Sequence, residues 1–144
     1  MEEVTRKNTL VLGIIFLVIT ADQLIKHIIR SQGGFYICNS YIAWGIKIPE
    51  AIFWALLLII LTSLTYLIYK EEIKTLNNLF ILICLTLICA GALSNMIDRI
   101  YVGCVVDYIG FWIFPAFNIA DFCIILGVIG VAANFLGTKP GKTL

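Results

Sequence analysis

Four long apolar segments, separated by short polar connectors, run along this chain of 144 residues. A helix needs about 20 apolar residues to cross about 30 Å of hydrocarbon. The segments 51–69 and 75–97 carry no charge, whereas 9–29 turns polar after Ala21 and 118–138 is shorter. The pattern predicts four membrane-spanning helices at these positions.

The connector between the first two segments, residues 35–49, has a different period. Its bulky apolar residues alternate with small or polar ones: Ile42, Trp44, Ile46 and Ile48 against Ala43, Gly45 and Lys47. Strict alternation favours a short strand or hairpin. An irregular loop is the alternative that so short a run leaves open.

Composition supports a membrane location. The chain is 61% hydrophobic and 13% charged, whereas a soluble domain averages about 45–50% apolar and about 25% charged residues. The excess apolar surface must face lipid. We therefore expect an all-α membrane protein, a single domain over residues 1–144, with four transmembrane helices and a small β element on the outer surface. The net charge of +1 gives no reason to expect a nucleic-acid partner.

The basic residues indicate an orientation. Four spans leave both termini on one side, with six basic residues there and four on the other: Arg6, Lys7, Lys70, Lys74, Lys139 and Lys142 against Lys26, Arg30, Lys47 and Arg99. The positive-inside rule then predicts cytoplasmic termini. The first segment has no small-residue cleavage site after it, so we interpret it as a retained helix rather than a signal peptide.

The five cysteines form no CxxC pair and no zinc-type spacing with His27, the only histidine. We therefore expect no metal site and no cofactor. Cys38 and Cys104 lie in connecting segments and can pair if both face an oxidising compartment. The sequence alone leaves this pairing open, because a disulfide requires a specific geometry.

Four carboxylates lie inside or at the ends of spans, where charge is costly: Asp22, Asp98, Asp107 and Asp121. Asp22 and Lys26 are spaced i,i+4 and can pair; they form either a self-neutralising pair or one wall of a site. Asp98 ends the third span, where an acid opposes the helix dipole. It should therefore have a partner such as Arg99 or Lys26, in a structural or binding role.

Asp107 and Asp121 differ in their surroundings. Asp107 is flanked by apolar residues, whereas Asp121 falls three residues after Asn118, as in a capping box at a helix start. Two carboxylates in unlike environments can divide acid and base roles, as aspartic proteolysis requires. We hypothesise that Asp121 is the ionised carboxylate and Asp107 the acid. The alternative function is a small proton- or cation-coupled transporter. Transport sites lie near the midplane, however, and these acids lie at span ends.

Several motifs resemble the lipoprotein signal peptidase (signal peptidase II) family. They are DQLIK (22–26), the segment from Asn39 to Gly45, GALSNMIDR (91–99), GCVVDY (103–108) and FPAFNIAD (114–121). The resemblance implies roles in three groups: catalytic Asp107 and Asp121; substrate-binding Asn39, Asn95, Arg99 and Asn118; and supporting Asp22, Lys26 and Asp98.

The resemblance also implies an activity and a cellular location. The expected activity is removal of signal peptides from diacylglyceryl-modified bacterial prolipoproteins, cut just before the lipidated Cys. The expected partners are those substrates and membrane lipids, and the chain is expected to act as a monomer. The expected location is the bacterial cytoplasmic (inner) membrane, with the site near the outer leaflet. Three features depart from the family pattern: Tyr41, Ser94 and the short segment 107–121. These departures concern the outer rim of the site.

Overall fold

A computed structural model describes residues 2–40, 79–111 and 114–137, together with isolated positions between 52 and 66. The strand predicted at 42–48 lies outside the described residues. Most of the span predicted at 51–69 does as well, and the isolated positions described there are helical.

Three helices make up most of the described chain: α1 (Glu2–Ser31), α2 (Leu79–Tyr101) and α3 (Ile119–Gly137). Two stretches, Thr5–Ser31 within α1 and the whole of α2, are long and apolar enough to cross a membrane. The apolar part of α3, Ile119–Asn134, is shorter. The described part of the protein is thus mostly helical, with helices suited to a membrane.

The helix α2 ends later than the span predicted for this part of the chain. α2 continues to Tyr101, four residues beyond the predicted end at Ile97. Asp98 and Arg99 therefore lie inside the last turn of a helix rather than after it. Asp98 is only 1% exposed, which agrees with the expectation that it has a partner. Its hydrogen bonds, described below, make this burial possible.

Four short strands lie at the end of the helices. β1 (Ile37–Asn39) pairs antiparallel with β2 (Val105–Asp107), in the register Ile37↔Asp107. β3 (Ile109–Phe111) pairs antiparallel with β4 (Phe114–Phe117). The sequence predicted a β element only in the first connector. Strands of three or four residues are too short for their periodicity to be read.

α2 packs closely against α3 through glycine. A side chain on Gly91 would collide with the Ala120 carbonyl oxygen and with Ile124, and one on Gly127 would collide with the Cys84 carbonyl and Ile88. Small residues allow helices in membranes to approach closely. This contact places the first turn of α3 beside the last turns of α2. The polar residues of the two helices therefore lie at the same end.

Lipid-facing surface is evident on the outer sides of the helices. Phe16 and Leu17 of α1 are 72% and 68% exposed, and Ile129 of α3 is 59% exposed. α2, which lies between the other two helices, carries most of the buried apolar residues. Hydrocarbon is as favourable an environment for these exposed side chains as a protein core.

Candidate active site

Asn118 caps the first turn of α3. Its Oδ1 accepts a hydrogen bond from the Asp121 N–H at 2.9 Å, and its own N–H donates to Asp121 Oδ2 at 3.3 Å. These reciprocal bonds satisfy backbone donors that a helix start leaves free. The capping box predicted from the sequence is confirmed.

The same asparagine holds the second carboxylate. Asn118 Nδ2 donates to Asp107 Oδ1 at 2.7 Å. Asn118 is fully buried, Asp107 is 2% exposed, and Asp121 is partly exposed. Asn118 therefore contacts both carboxylates, Asp107 through its side-chain amide and Asp121 through its backbone N–H, although the two acids are 14 positions apart in the sequence.

Each carboxylate has a second amide donor. Asn95 Nδ2 donates to Asp121 Oδ1 at 2.7 Å, and Asn39 Nδ2 donates to Asp107 Oδ2 at 3.0 Å. All four carboxylate oxygens thus accept a hydrogen bond from an N–H group. Since each oxygen has two lone pairs, one remains on each for a proton or a water molecule.

A fully buried charge cluster lies below the two carboxylates. Lys26 Nζ lies 2.6 Å from Asp22 Oδ2 and 2.7 Å from Asp98 Oδ2, and it donates to Asn95 Oδ1 at 3.1 Å. Asp22 and Lys26 are both 0% exposed. The i,i+4 pair is therefore more than a self-neutralising pair at a helix end, because it includes Asp98 of another helix.

The acids of this cluster also accept hydrogen bonds from the backbone N–H groups next to Asp107 and Asp121. Asp22 Oδ1 accepts from the Ala120 N–H at 3.2 Å, and Asp98 Oδ2 accepts from the Val106 N–H at 3.1 Å. Ala120 immediately precedes Asp121, and Val106 immediately precedes Asp107. The two supporting acids therefore fix the two backbone positions from which the Asp107 and Asp121 side chains extend.

Comparison with known proteins identifies this arrangement. The sequence model described as Signal peptidase (SPase) II matches residues 14–136. The chain belongs to the signal peptidase II family.

Individual relatives agree with this assignment. The chain is 39% identical over 109 residues to the lipoprotein signal peptidases of Staphylococcus aureus strains JH9 and Newman, a match that covers 72% of this chain. The match spans 65% of the length of those relatives. The family match gives no support to the transporter alternative.

Two solved structures have the same fold. Both are described as bacterial membrane enzyme structures obtained by the in meso method, at 2.3 Å and 1.9 Å resolution. The first has a TM-score of 0.78 at 30% identity and covers 94% of this chain and 95% of its own. The second has a TM-score of 0.76 at 32% identity, covering 90% and 94%.

The structure brings together the residues that the signal peptidase II resemblance singled out. Asn39, Asn95 and Asn118 contact the two carboxylates directly, whereas Asp22, Lys26 and Asp98 form the cluster beneath. Arg99 is partly buried and lies within electrostatic range of Asp98, Asp107 and Asp121. Among the described residues, no group of three or more His, Cys, Asp or Glu side chains is arranged to hold a metal ion.

Three polar residues were assigned no role from the sequence. Gln23 Nε2 donates to Asp98 Oδ1 at 2.9 Å and to Ser94 Oγ at 3.1 Å, and Ser94 Oγ donates to Asp22 Oδ2 at 2.7 Å. The Tyr108 hydroxyl accepts from the Ile119 N–H at 3.4 Å. Gln23 lies in the DQLIK segment, which was the available signal. Ser94 was noted only as a departure from the family pattern, yet its hydroxyl joins α2 to Asp22.

Burial and charge act on the residues of the strand segment. Burial raises the pKa of Asp107 to about 6, with a further increase from the charge of Asp121 and opposing decreases from the hydrogen bonds of Asn39 and Asn118. Burial likewise raises the pKa of Tyr108 to about 12. The direction for Asp107 agrees with the expectation for an acid beside apolar residues.

The structure forms the cysteine pair that the sequence left open. Cys38 and Cys104 make a disulfide with a Cα–Cα distance of 5.5 Å. Cys84, Cys89 and Cys123 are free thiols. The disulfide joins β1, at the residue before Asn39, to the residue that directly precedes β2.

Proposed function

We propose that this chain is an aspartic endopeptidase that removes signal peptides from diacylglyceryl-modified bacterial prolipoproteins, cutting just before the lipidated Cys. The observation that carries the proposal is the pair of carboxylates, Asp107 and Asp121, joined through Asn118 in a family of signal peptidases. The chemistry needs no cofactor, since water is the nucleophile and both proton carriers are side chains.

In the proposed reaction Asp121 is the base and Asp107 the acid. Asp121 takes a proton from water as the water oxygen attacks the scissile carbonyl carbon. Asp107 gives its proton to the carbonyl oxygen, which yields a gem-diol. When the C–N bond breaks, the proton on Asp121 passes to the leaving nitrogen, and one diol hydroxyl returns a proton to Asp107. Both carboxyl groups then regain their starting forms.

The surroundings of the two acids support this division. Asp121 lies in the first turn of α3, where the helix dipole favours negative charge, and its partial exposure allows contact with water. Asp107 is nearly fully buried, and burial favours its neutral form. Asn39, Asn95, Asn118 and Arg99 would orient these groups and bind the substrate backbone around the scissile bond.

The direction of the helices supports the four-span fold. The strand that follows α1 pairs with the strand that follows α2, so both helices end at the same face. A chain that crosses a membrane twice in the same direction must return in between. The apolar segment 51–69 would provide that crossing, in a single domain of residues 1–144. The chain would act as a monomer.

The disulfide supports the proposed location. Disulfides persist mainly in oxidising compartments, and Cys38–Cys104 lies on the face that holds the two carboxylates. Lys26, counted among the four basic residues of that face, is buried between two acids, which strengthens the bias toward cytoplasmic termini. We infer a multi-pass protein of the bacterial inner membrane with its site near the outer leaflet.

Replacing either carboxylate tests the activity. Asp107→Asn and Asp121→Asn should each abolish cleavage of a purified diacylglyceryl-prolipopeptide in detergent, by about 1000-fold or more, because each removes one proton carrier. Glu3→Gln, which neutralises an exposed acid far from the site, is the matched control and should leave turnover unchanged. Near-normal turnover in either aspartate variant would remove that residue from the catalytic pair.

Reporter fusions test the orientation. A reporter joined after Lys74 should be active on the cytoplasmic side, and one joined after Gly103 should be active outside. A cytoplasmic signal at Gly103 would contradict the proposed topology, even if the protein cleaved its substrate in detergent.

A further inference from the structure

The disulfide joins the two strands that carry Asn39 and Asp107. Cys38 is the middle residue of β1 and faces Val106 in the antiparallel register, while Cys104 directly precedes β2. The bond links positions 66 residues apart. It therefore connects the segment after α1 to the segment after α2, at the point where both enter the site.

β1 is short and largely exposed. It has three residues, of which Ile37 and Cys38 are exposed, and Phe35 just before it is 73% exposed. A two-stranded ladder is marginally stable by itself. A slip of one residue would turn the Asn39 side chain to the opposite face, away from the Asp107 carboxylate.

β2 is firmly held. All three of its residues are buried, and the Val106 N–H donates to Asp98, which is part of the buried charge cluster. Cys104 is 2% exposed. The covalent bond thus ties the exposed strand to a fixed one, within one residue of Asn39.

We propose that the Cys38–Cys104 disulfide is a positioning element of the active site, which keeps β1 in register on β2 so that the Asn39 amide meets the Asp107 carboxylate. This inference rests on the proposed peptidase activity. The disulfide does not touch the substrate or the reacting atoms; it acts through Asn39.

A change in Asp107 chemistry should follow from breaking the bond. The Asn39 hydrogen bond lowers the pKa of Asp107, so its loss should raise that pKa. The other charged or titratable groups that act on Asp107 or adjoin it should stay in place, because they lie on the three helices or next to it on the chain: Lys26, Arg99, Asp121 and Tyr108.

The experiment compares three forms of the full chain in detergent: wild type, wild type reduced by a dithiol, and Cys38→Ser/Cys104→Ser. The dithiol breaks the S–S bond, leaves two cysteine thiols and becomes a cyclic disulfide itself. The probe is a diacylglyceryl-prolipopeptide whose only Cys carries the lipid. Reduction of the folded protein keeps the test valid if the double variant does not fold.

Both ways of removing the disulfide should have the same effect. We expect kcat/KM to fall by up to about 100-fold, as for a catalytic contact displaced by about 1 Å. The pH above which kcat/KM declines should move to a higher value. Asn39→Ala should do the same. In the Asn39→Ala background, removing the disulfide should change nothing further, because the two changes act through one contact.

The serine double variant is also the control for the reductant. Adding dithiol to it should have no effect, since the three remaining cysteines are already thiols. Wild-type protein that cleaves equally well, with the same pH profile, before and after reduction would overturn the positioning role alone. The positioning role would also be overturned if removing the disulfide lowered kcat/KM further in the Asn39→Ala variant and left the pH profile unchanged. Oxidised wild type without any cleavage would instead overturn the proposed function.

Discussion

The two halves of the candidate active site are built differently. The helical half carries Asp121 at the start of α3 and is held by Asn95 and the buried charges of Asp22, Lys26 and Asp98. The strand half carries Asp107 at the end of β2 and is completed by Asn39 on an exposed strand fastened by a disulfide. Packing and ion pairing fix the first half and also hold β2 through the Val106–Asp98 bond, whereas the position of Asn39 depends on a short ladder and one covalent link. Damage to the helical half should therefore reduce stability, and damage at β1 should mainly reduce turnover.

The largest effect should come from removing the cation of the helical half. Lys26→Met leaves Asp22 and Asp98 buried without their partner, and breaking a buried ion pair from one side costs about 3–5 kcal/mol. We expect a loss of this size in the free energy of unfolding, measured by denaturation in detergent micelles. Asp22→Asn and Asp98→Asn should also lower stability, because each cluster member supports the others.

A lysine in a similar but partly exposed pair provides the control. Lys7 and Glu3 are also spaced i,i+4, with a distance of 3.1 Å, but the Glu3 side chain is 67% exposed. Lys7→Met should cost no more than about 0.5 kcal/mol. Equal losses for Lys26→Met and Lys7→Met would contradict the idea that buried charge holds the helical half.

A smaller effect should follow from filling the contact between α2 and α3. Gly91→Ala places a methyl group against the Ala120 carbonyl and Ile124, and overpacking of this kind costs about 1–3 kcal/mol. Because Ala120 precedes Asp121, turnover should fall as well. Gly13→Ala, where a side chain meets nothing within 4 Å, should not destabilise α1. Thermal unfolding and cleavage rates of both variants measure the difference.

The smallest expected effect concerns the proton on the Asp107 carboxyl group. With the pKa of Asp107 raised to about 6, its acid form is lost as pH rises through that value. We expect kcat/KM to fall about tenfold per pH unit above it. The stability of the fold should change in the same direction. Because the pKa of Asp107 is raised in the folded state, this group favours folding fully below its ordinary pKa of 3.8. That contribution is lost as pH rises through about 6.

Infrared difference spectroscopy assigns that proton, which a pH profile cannot do for two interacting acids. A protonated-carboxyl band should be present in wild type below about pH 6 and absent in Asp107→Asn. A band that survives in Asp107→Asn but disappears in Asp121→Asn would reverse the roles. It would also contradict the view that the helix start carries the charge.

The helical half was largely predictable from local sequence. Asn118 and Asp121 have the spacing of a capping box, and Asp22 and Lys26 have the spacing of an ion pair on one helix face. Both patterns depend on residues within one helical turn, which geometry brings together wherever the helix forms. The sequence analysis named Lys26 as one of two possible partners of Asp98, and the structure confirms that ion pair.

The strand half was far less predictable. The β element was expected around 42–48, whereas the described strand of that connector is Ile37–Asn39, and β3 and β4 were not foreseen. Ladders of three residues leave no readable period. The pairing of Cys38 with Cys104 likewise depends on two connectors meeting, which no local pattern encodes.

By itself, the sequence determined that this chain belongs in a membrane, which segments are apolar enough to cross it, and which carboxylates burial could not explain. These properties follow from hydrophobicity and from spacing within single helices. Only the tertiary structure decided that Asn118 joins Asp107 to Asp121, that Asp22 and Asp98 hold the backbone beside each, and that a disulfide joins β1 to the segment before β2. Those contacts connect residues up to 98 positions apart, and they exist only because helix packing brings the ends of α1 and α2 to the start of α3.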